Sequence, residues 1–318
     1  MFQMKLLILG AGAMGSLFAG KLKQAGMDVT LYNRSNDHTR AIQNNGLTLT
    51  DTDGNASTAV LSVVTNPAGL TDNYDLVLVL VKAFATQSVL KNVLPALHKN
   101  TPILTLQNGI GNMEKIERLA PAHDVMVGGT RAGAGIKEPG VVVHRAWGST
   151  FIGVSQPGDN QALLDKIALT FSASGLETHV SENVQSIVWS KLLVNVAYNG
   201  LTAVTRLKNG DTLLVQEGED IVAKLVHEAV QIAKAKKIPL LFDDPAAECI
   251  RLGKVEIGMN TSSMLTDVLH ERKTEIDVMN GAVVEEGRKH RIPTPYNDMM
   301  TKLIKVMENT YQHSVHLA

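Results

Sequence analysis

A glycine-rich turn near the start of the chain restricts the possible folds more than any other feature. The turn reads GAGAMG over residues 10–15, which matches the pattern GxGxxG. An apolar run, Lys5–Leu9, precedes it, an apolar helical pattern runs from Ala13 to Gln24, and a second apolar run ends at Tyr32. This succession of strand, turn, helix and strand predicts a βαβ unit that binds a dinucleotide.

Each glycine of the turn has a physical reason to be there. Gly10 permits the tight turn, Gly12 lets a pyrophosphate approach the backbone, and Gly15 lets the helix lie close to the strand. The N–H groups at the start of the helix then face the phosphates. The predicted cofactor contacts in the turn are Gly10, Ala11, Gly12, Ala13, Met14 and Gly15. A tight turn without a ligand is the alternative.

The end of the second strand indicates which dinucleotide is bound. Enzymes that use NAD usually carry an acidic residue about 20 residues after the motif, where it binds the ribose 2′-hydroxyl. Here the sequence is LYNRS over residues 31–35, and the first carboxylate is Asp37. Arg34 can bind a 2′-phosphate through two hydrogen bonds, so we expect NADP(H). A solvated surface arginine is the alternative.

Composition narrows the class of protein. The 318 residues carry 30 basic and 31 acidic side chains, which gives no sign of a nucleic-acid or membrane-binding surface. No apolar stretch reaches the length of a membrane span. The single cysteine, Cys249, cannot form an internal disulfide, and we interpret it as a small apolar core residue. We therefore expect a cytoplasmic protein with no nucleic-acid or membrane partner.

The pattern of apolar residues changes along the chain and predicts two domains. Buried-strand patterns such as 76–81 (LVLVLV) and 103–106 alternate with helical segments, which indicates a parallel sheet. Residues 125–153 suggest antiparallel strands that extend or cover that sheet. Five long helical patterns follow, at residues 183–203, 215–236, 245–259, 275–290 and 295–313. The predicted fold is α/β, with a Rossmann-like domain (1–180) followed by an all-helical domain (181–318).

Polar residues follow two predicted strands and line one predicted helix. Lys82 and the Gln107-Asn108-Gly109 turn stand at strand ends, where open parallel sheets bind ligands. Lys191, Asn195 and Asn199 are spaced four residues apart and share a helix face in an otherwise apolar segment. Burial would lower the pKa of the lysine toward the range of acid–base catalysis. The alternative for Lys82 is a solvated lysine at the end of a strand. The alternatives for the other two features are a turn without function and a helix face that is simply exposed.

Two further segments combine capping signals with candidate ligands. Ser and Thr at 261–263, after Asn260, are typical of a helix N-cap, and Thr274 can cap a helix that begins at Glu275. In that interpretation Glu275 only favours the positive end of the helix. Capping and function can coexist at these positions.

Taken together, these motifs resemble those of the ketopantoate reductase family. The shared features are GAGAMG, Lys82 after LVLVLV, QNG, W-x-K-L-x-x-N-x-x-x-N from Trp189, SSM-L-x-D from Ser262 and TEID-x-x-NG from Thr274. They occur in the family's order along the whole chain. The resemblance implies a Rossmann domain, a helical domain and a substrate site between the two.

The resemblance also implies roles for the matching residues. Lys191 would protonate the keto oxygen as hydride arrives at the carbon, and Glu275 would position the substrate and the lysine. The implied ligands of a small anionic 2-keto acid are Asn108, Asn195, Asn199, Asn260 and Ser263. The implied cofactor contacts outside the glycine turn are Arg34, Lys82, Asn108 and Glu275.

The sequence leaves the substrate and the assembly open. Residues 144–148 (HRAWG) are bulkier than the glycine-rich turn usual in the family, so the keto acid is less constrained than the reaction. Reduction of 2-dehydropantoate with NADPH and reduction of other branched or aromatic 2-keto acids both agree with the motifs. A non-catalytic NADP(H) sensor would not need the lysine, asparagines, serine and glutamate together. The C-terminal helices could bury a homodimer face or pack on each other.

Overall fold

The structure is a computed structural model that describes residues 3–70, 73–154 and 160–314. It forms two compact units. The first comprises residues 1–107 and 112–184, and the second comprises residues 108–111 and 185–318. The domain boundary at residue 180 stays a prediction, because compactness does not show that either unit folds independently.

An eight-stranded sheet forms the centre of the first unit. Six of its strands are parallel and lie in the order β5-β2-β1-β6-β7-β8. They are β1 (Lys5–Leu9), β2 (Asp28–Tyr32), β5 (Ser62–Val64), β6 (Leu76–Val79), β7 (Ile103–Thr105) and β8 (Val125–Thr130). The chain reverses direction of winding between β1 and β6, and open parallel sheets generally bind ligands at the carboxyl ends of the strands at such a point.

Two further strands extend the sheet beyond β8. They are β11 (Thr150–Gly153), antiparallel to β8, and β12 (Thr178–Val180), parallel to β11. A separate four-stranded sheet has the order β4-β3-β10-β9. Its strands are β3 (Leu47–Thr50), β4 (Ala56–Ala59), β9 (Gly133–Glu138) and β10 (Val141–Ala146). The prediction of antiparallel strands over 125–153 is confirmed for the pairs β9–β10 and β8–β11. In addition, β8 pairs parallel with β7 and β10 pairs parallel with β3, which was not predicted.

Helices cover both faces of the large sheet. They are α1 (Ala13–Gln24), α2 (Asp37–Asn45), α3 (Thr86–Val93), α4 (Asn112–Leu119) and α5 (Gln161–Ala173). Alternate residues of β1 supply two cores: Leu6 and Ile8 lie in one with Phe18, whereas Leu7 and Leu9 lie in the other with Leu90. Burial on both faces explains why these strands are continuously apolar in sequence.

The second unit is helical, and its helices pack around α6. They are α6 (Val184–Thr205), α7 (Gln216–Ala235), α8 (Pro245–Val255), α9 (Ser263–Leu269), α10 (Asn280–His290) and α11 (Pro295–Thr310). Its core includes Trp189, Leu193 and Cys249, and burial raises the pKa of the Cys249 thiol to about 12. The α/β fold class and the interpretation of Cys249 as a small core residue are confirmed. No helix in the described ranges is long and apolar enough to cross a membrane.

The predicted helix from Glu275 is interrupted. A short 3₁₀ turn (Ile276–Val278) comes first, and α10 begins only at Asn280. Met279, between them, has φ −111° and ψ −105°, outside the helical region. We refer to residues 275–280 as the hinge segment, because four of its residues meet the polar groups described below.

Candidate functional site

Two of the three glycines in the GAGAMG turn are required by contacts within the protein. Gly10 has φ +110°, and a Cβ there would lie 2.8 Å from the Val81 nitrogen, at the end of β6. A Cβ on Gly15 would lie 1.9 Å from the Gly10 oxygen. Larger residues would therefore push β1, α1 and the end of β6 apart.

Gly12 differs, because a Cβ there would meet no protein atom within 4 Å. Gly12 is the N-cap residue of α1, so no side chain caps the helix, and its first turn carries no acidic residue. Ala11 is buried, Met14 packs on the core, and Ala13 begins the helix, so these three place backbone rather than polar side chains at the turn. The open space and uncapped N–H groups fit a bound pyrophosphate.

Arg34 lies just beyond β2 with its side chain exposed. The glycine turn is joined to the same strand end, since Gly10 N donates to Tyr32 O over 2.8 Å. Asp37, the nearest acid in sequence, pairs with Arg40 instead. Within the described part of the chain Arg34 has no ion-pair partner, so its charge fits a 2′-phosphate.

Lys82 lies three residues after the end of β6, and the backbone is held on both sides of it. Gln107 Nε2 donates to Val81 O over 2.6 Å, and Lys115 Nζ donates to Ala83 O over 3.0 Å. The strand predicted over residues 76–81 ends earlier, at Val79. Sequence reasoning assigned no role to Gln107. A polar residue placed directly after a buried strand was the available signal.

The HRAWG segment lies away from the glycine turn. His144 and Trp147 pack with ring centroids 3.9 Å apart and ring planes tilted by 56°, and the Lys21 ammonium lies 4.9 Å from the centre of the Trp147 ring. Lys21 is in the last turn of α1, about 13 Å along the helix from Gly12. The bulky residues thus pack on the far end of α1, and they do not alter the phosphate turn.

Lys191 and Glu275 form the electrostatic centre of the second unit. Burial lowers the pKa of Lys191 to about 8, and the negative charge of Glu275 acts in the opposite direction and raises it. Glu275 is itself buried, at the start of the hinge segment. A lysine with a pKa near neutrality can both hold and release a proton at physiological pH, as a general acid requires.

Asn195 and Asn199 share the face of α6 that carries Lys191, but their surroundings differ. Asn195 Nδ2 is buried and has no hydrogen-bond partner among the described residues. Asn199 Nδ2 donates to Met279 Sδ over 3.1 Å, so this side chain joins α6 to the hinge segment. Since an unmet buried donor costs about 1–3 kcal/mol, Asn195 is the residue best suited to bind an oxygen of a ligand.

The loop that carries Asn108 is anchored to the hinge segment. Ile110 N donates to Val278 O over 3.0 Å. Gly109 has φ +83°, and a Cβ there would lie 2.1 Å from the same oxygen. The Asn-Gly pair is therefore both a turn and a close backbone contact, which places Asn108 on the second unit with Glu275.

Ser263 and Asn260 are exposed near the start of α9. Ser262 is the N-cap: its Oγ accepts a hydrogen bond from Leu265 N over 3.0 Å and lies 2.7 Å from Thr202 Oγ1. Asn260 is held through its backbone, since its oxygen accepts a bond from Asn209 N over 3.1 Å. The capping interpretation of this serine cluster is right, and Thr202 connects the cluster to α6.

Comparison with known proteins shows one family along nearly the whole chain. The sequence model described as "Ketopantoate reductase PanE/ApbA" matches residues 6–157, and the one described as "Ketopantoate reductase PanE/ApbA C terminal" matches residues 183–308. The 2-dehydropantoate 2-reductase of Pyrococcus horikoshii is 36% identical, over 96% of this chain and 98% of its own. That of Halobacterium salinarum is 34% identical, over 96% and 99%.

Solved structures agree in fold. A ketopantoate reductase from Ralstonia eutropha superposes with a TM-score of 0.89 at 32% identity and covers 98% of this chain and 100% of its own. D-mandelate dehydrogenase, solved with NADH and anilino(oxo)acetate, superposes with a TM-score of 0.90 at 32% identity and covers 97% and 100%.

The anchoring of the Asn108 loop can be tested with two alanine variants. Gly109 and Gly111 have nearly equal φ, +83° and +82°, but a Cβ on Gly111 meets nothing within 4 Å. Gly111→Ala should reduce the free energy of unfolding by about 1–2 kcal/mol through backbone strain alone. Gly109→Ala should cost about 1–3 kcal/mol more, because it also breaks the Ile110–Val278 bond.

Urea unfolding gives the two free energies, and hydrogen exchange at the Ile110 amide reports the bond itself. Exchange should accelerate in Gly109→Ala and stay unchanged in Gly111→Ala. Equal losses of stability and equal exchange rates in the two variants would contradict the anchoring.

Proposed function

Because the chain belongs to the ketopantoate reductase family, we propose that it reduces 2-dehydropantoate to D-pantoate with NADPH. The product serves pantothenate and coenzyme A biosynthesis. The observation that carries the proposal is the joint placement of Lys191, Glu275 and the unpartnered amide of Asn195 in one unit. Reduction of a 2-keto acid needs a proton donor at the keto oxygen and polar groups for the carboxylate.

The cofactor contacts are proposed residue by residue. The backbone of residues 10–15 would hold the pyrophosphate, Arg34 the 2′-phosphate, and Lys82, Asn108 and Glu275 the rest of the cofactor. When bound, NADPH supplies the hydride that forms the new C–H bond at the keto carbon. The chain itself therefore has to supply only a proton and a fixed orientation of the substrate.

Lys191 is proposed to supply that proton from Nζ to the keto oxygen. Its pKa near 8 keeps the ammonium protonated at neutral pH and makes its proton easier to release than that of an ordinary lysine. Glu275 holds the positive charge in place, since its carboxylate favours the protonated form. Asn195 would donate Nδ2 to a substrate oxygen, and Asn108, Asn199, Asn260 and Ser263 complete the proposed substrate contacts.

Location and assembly form part of the proposal. We place the enzyme in the cytoplasm, because a fold with one buried thiol does not depend on an oxidising compartment. A small anionic 2-keto acid is its expected partner, and its net charge of −1 favours no nucleic acid. A homodimer stays a prediction that sedimentation of the purified protein decides.

A panel of 2-keto acids tests the substrate. NADPH oxidation should proceed with a higher kcat/KM for ketopantoate than for 2-ketoisovalerate or phenylglyoxylate. The likeness to D-mandelate dehydrogenase makes the aromatic acid the informative competitor. A higher kcat/KM for phenylglyoxylate would replace ketopantoate with an aromatic substrate and keep the reaction.

Lys191→Met tests the proton donor. The variant should lower kcat about 100- to 10,000-fold, because general acid catalysis is lost, while the Kd for NADPH stays close to wild type. In the wild type, kcat should fall as the pH rises above about 8, where Lys191 loses its proton. Glu275→Gln removes the charge that raises this pKa, so the fall should begin at lower pH. Wild-type turnover in Lys191→Met would exclude the role.

Arg34→Ala tests the choice of cofactor. The KM for NADPH should rise about 10- to 100-fold, as expected for one lost charge-assisted bond, while the KM for NADH changes little. Arg40→Ala is the matched control, because Arg40 is also exposed but pairs with Asp37. Equal increases for both cofactors in Arg34→Ala would exclude a 2′-phosphate contact.

A further inference from the structure

A buried chain of hydrogen bonds crosses the second unit and has no part in the proposed proton transfer. It begins at Glu228 of α7, whose carboxylate accepts bonds from Tyr296 N and Asn297 N, each over 2.9 Å. Asn297 Nδ2 donates to the same carboxylate over 2.8 Å. Asn280 Nδ2 then donates to Asn297 Oδ1 over 3.0 Å and to Val196 O over 3.2 Å. Asn280 and Asn297 are fully buried.

The orientation of each amide in this chain follows from its partners. An ionised carboxylate only accepts hydrogen bonds, so Asn297 must turn Nδ2 toward Glu228 and Oδ1 toward Asn280. Asn280 must therefore present Nδ2 to Asn297, and the second proton of this nitrogen points to Val196 O. The Glu228 carboxylate and the backbone carbonyls of Leu225 and Val196, all of them acceptors, thus set the direction of both amides and fix where Asn280 is attached.

This series of hydrogen bonds ends at the Val196 carbonyl, which needs no further partner. Val196 lies inside α6, where the helix itself supplies a donor four residues later. The bond from Asn280 is consequently not needed to satisfy this carbonyl. Its effect is to fix Asn280 relative to α6. Val196 follows Asn195 and lies five residues after Lys191, whereas Asn280 closes the hinge segment that begins with Glu275.

We propose that Asn280 is a positioning residue, which holds the hinge segment against α6 so that the Glu275 carboxylate stays where it acts on Lys191. The proposal rests on the function proposed above. It explains why an amide occupies a position enclosed by apolar residues such as Met279 and Val283. A structural bond alone would stabilise the unit, whereas a positioning bond must also change how Lys191 holds its proton.

The test compares Asn280→Leu, Asn280→Ala and a matched control in the full-length protein. Asn280→Leu keeps the approximate size of the side chain and removes the donor without adding a charge. Tyr198→Phe is the control, because it removes one buried bond between α6 and α8, from Tyr198 Oη to Cys249 O over 2.7 Å. The readouts are kcat/KM with the best 2-keto acid, the Kd for NADPH, the melting temperature and the pH profile of kcat.

Both Asn280 variants should lower kcat/KM about 10- to 100-fold, as displacements of about 1 Å in catalytic groups do. The Kd for NADPH should stay unchanged. The fall of kcat with pH should begin at lower pH, as in Glu275→Gln, because Glu275 is the charged group that raises the pKa of Lys191. Tyr198→Phe should lower the melting temperature and leave the pH profile in place.

A lower melting temperature with an unchanged pH profile in both Asn280 variants would overturn the proposal. If both variants fail to fold, Asn297→Ala tests the far end of this series of hydrogen bonds without changing a charge and should shift the pH profile in the same direction. An unshifted profile there would overturn the proposal as well. The wild-type assay separates the two claims. A wild type that reduces no 2-keto acid refutes the proposed function and the positioning role with it. If the wild type is active, the ratio of kcat/KM between variant and wild type measures the contribution of Asn280.

Discussion

The break in the helix at Met279 is the constraint on which the polar groups of the second unit depend. In an uninterrupted helix, Val278 O would accept the N–H of Ala282. Here Ala282 N turns to Met279 O over 3.1 Å, and Val278 O accepts Ile110 N instead. The interruption therefore frees one carbonyl for the Asn108 loop. It also leaves Met279 Sδ facing Asn199 and Asn280 Nδ2 facing Val196.

In the first unit the corresponding constraint is close backbone approach at the carboxyl ends of β1 and β6. The turn approaches Val81 so closely at Gly10 that a Cβ there would lie 2.8 Å from the Val81 nitrogen. Gln107, which follows the neighbouring strand β7, donates a hydrogen bond to the Val81 carbonyl. Gln107 is in turn oriented by Thr86 and Thr105, to which it is bonded over 2.9 and 3.0 Å. Hydrogen bonds from buried side chains thus fix the backbone at this edge of the sheet without a ligand.

Local patterns were sufficient for some of these features and insufficient for others. The order of strands and helices, the roles of Gly10 and Gly15 and the N-cap at 262 follow from residues close in sequence, so they were predicted. The split of 275–290 was missed, because the partners that stabilise it, Ile110 and Asn199, are distant in sequence. The shared face of Lys191, Asn195 and Asn199 was predicted from spacing. The burial of Asn199 against Met279 was not, because it depends on the hinge segment, which is distant in sequence.

The path of the chain has an evolutionary consequence. The backbone passes from the first unit to the second at residues 107–108, returns at 111–112 and crosses again at 184–185. A gene fragment that encodes only residues 185–318 would lack the loop whose N–H meets Val278 O. Recombination at a single point cannot exchange one unit without dividing this contact. We therefore expect the two units to be inherited together.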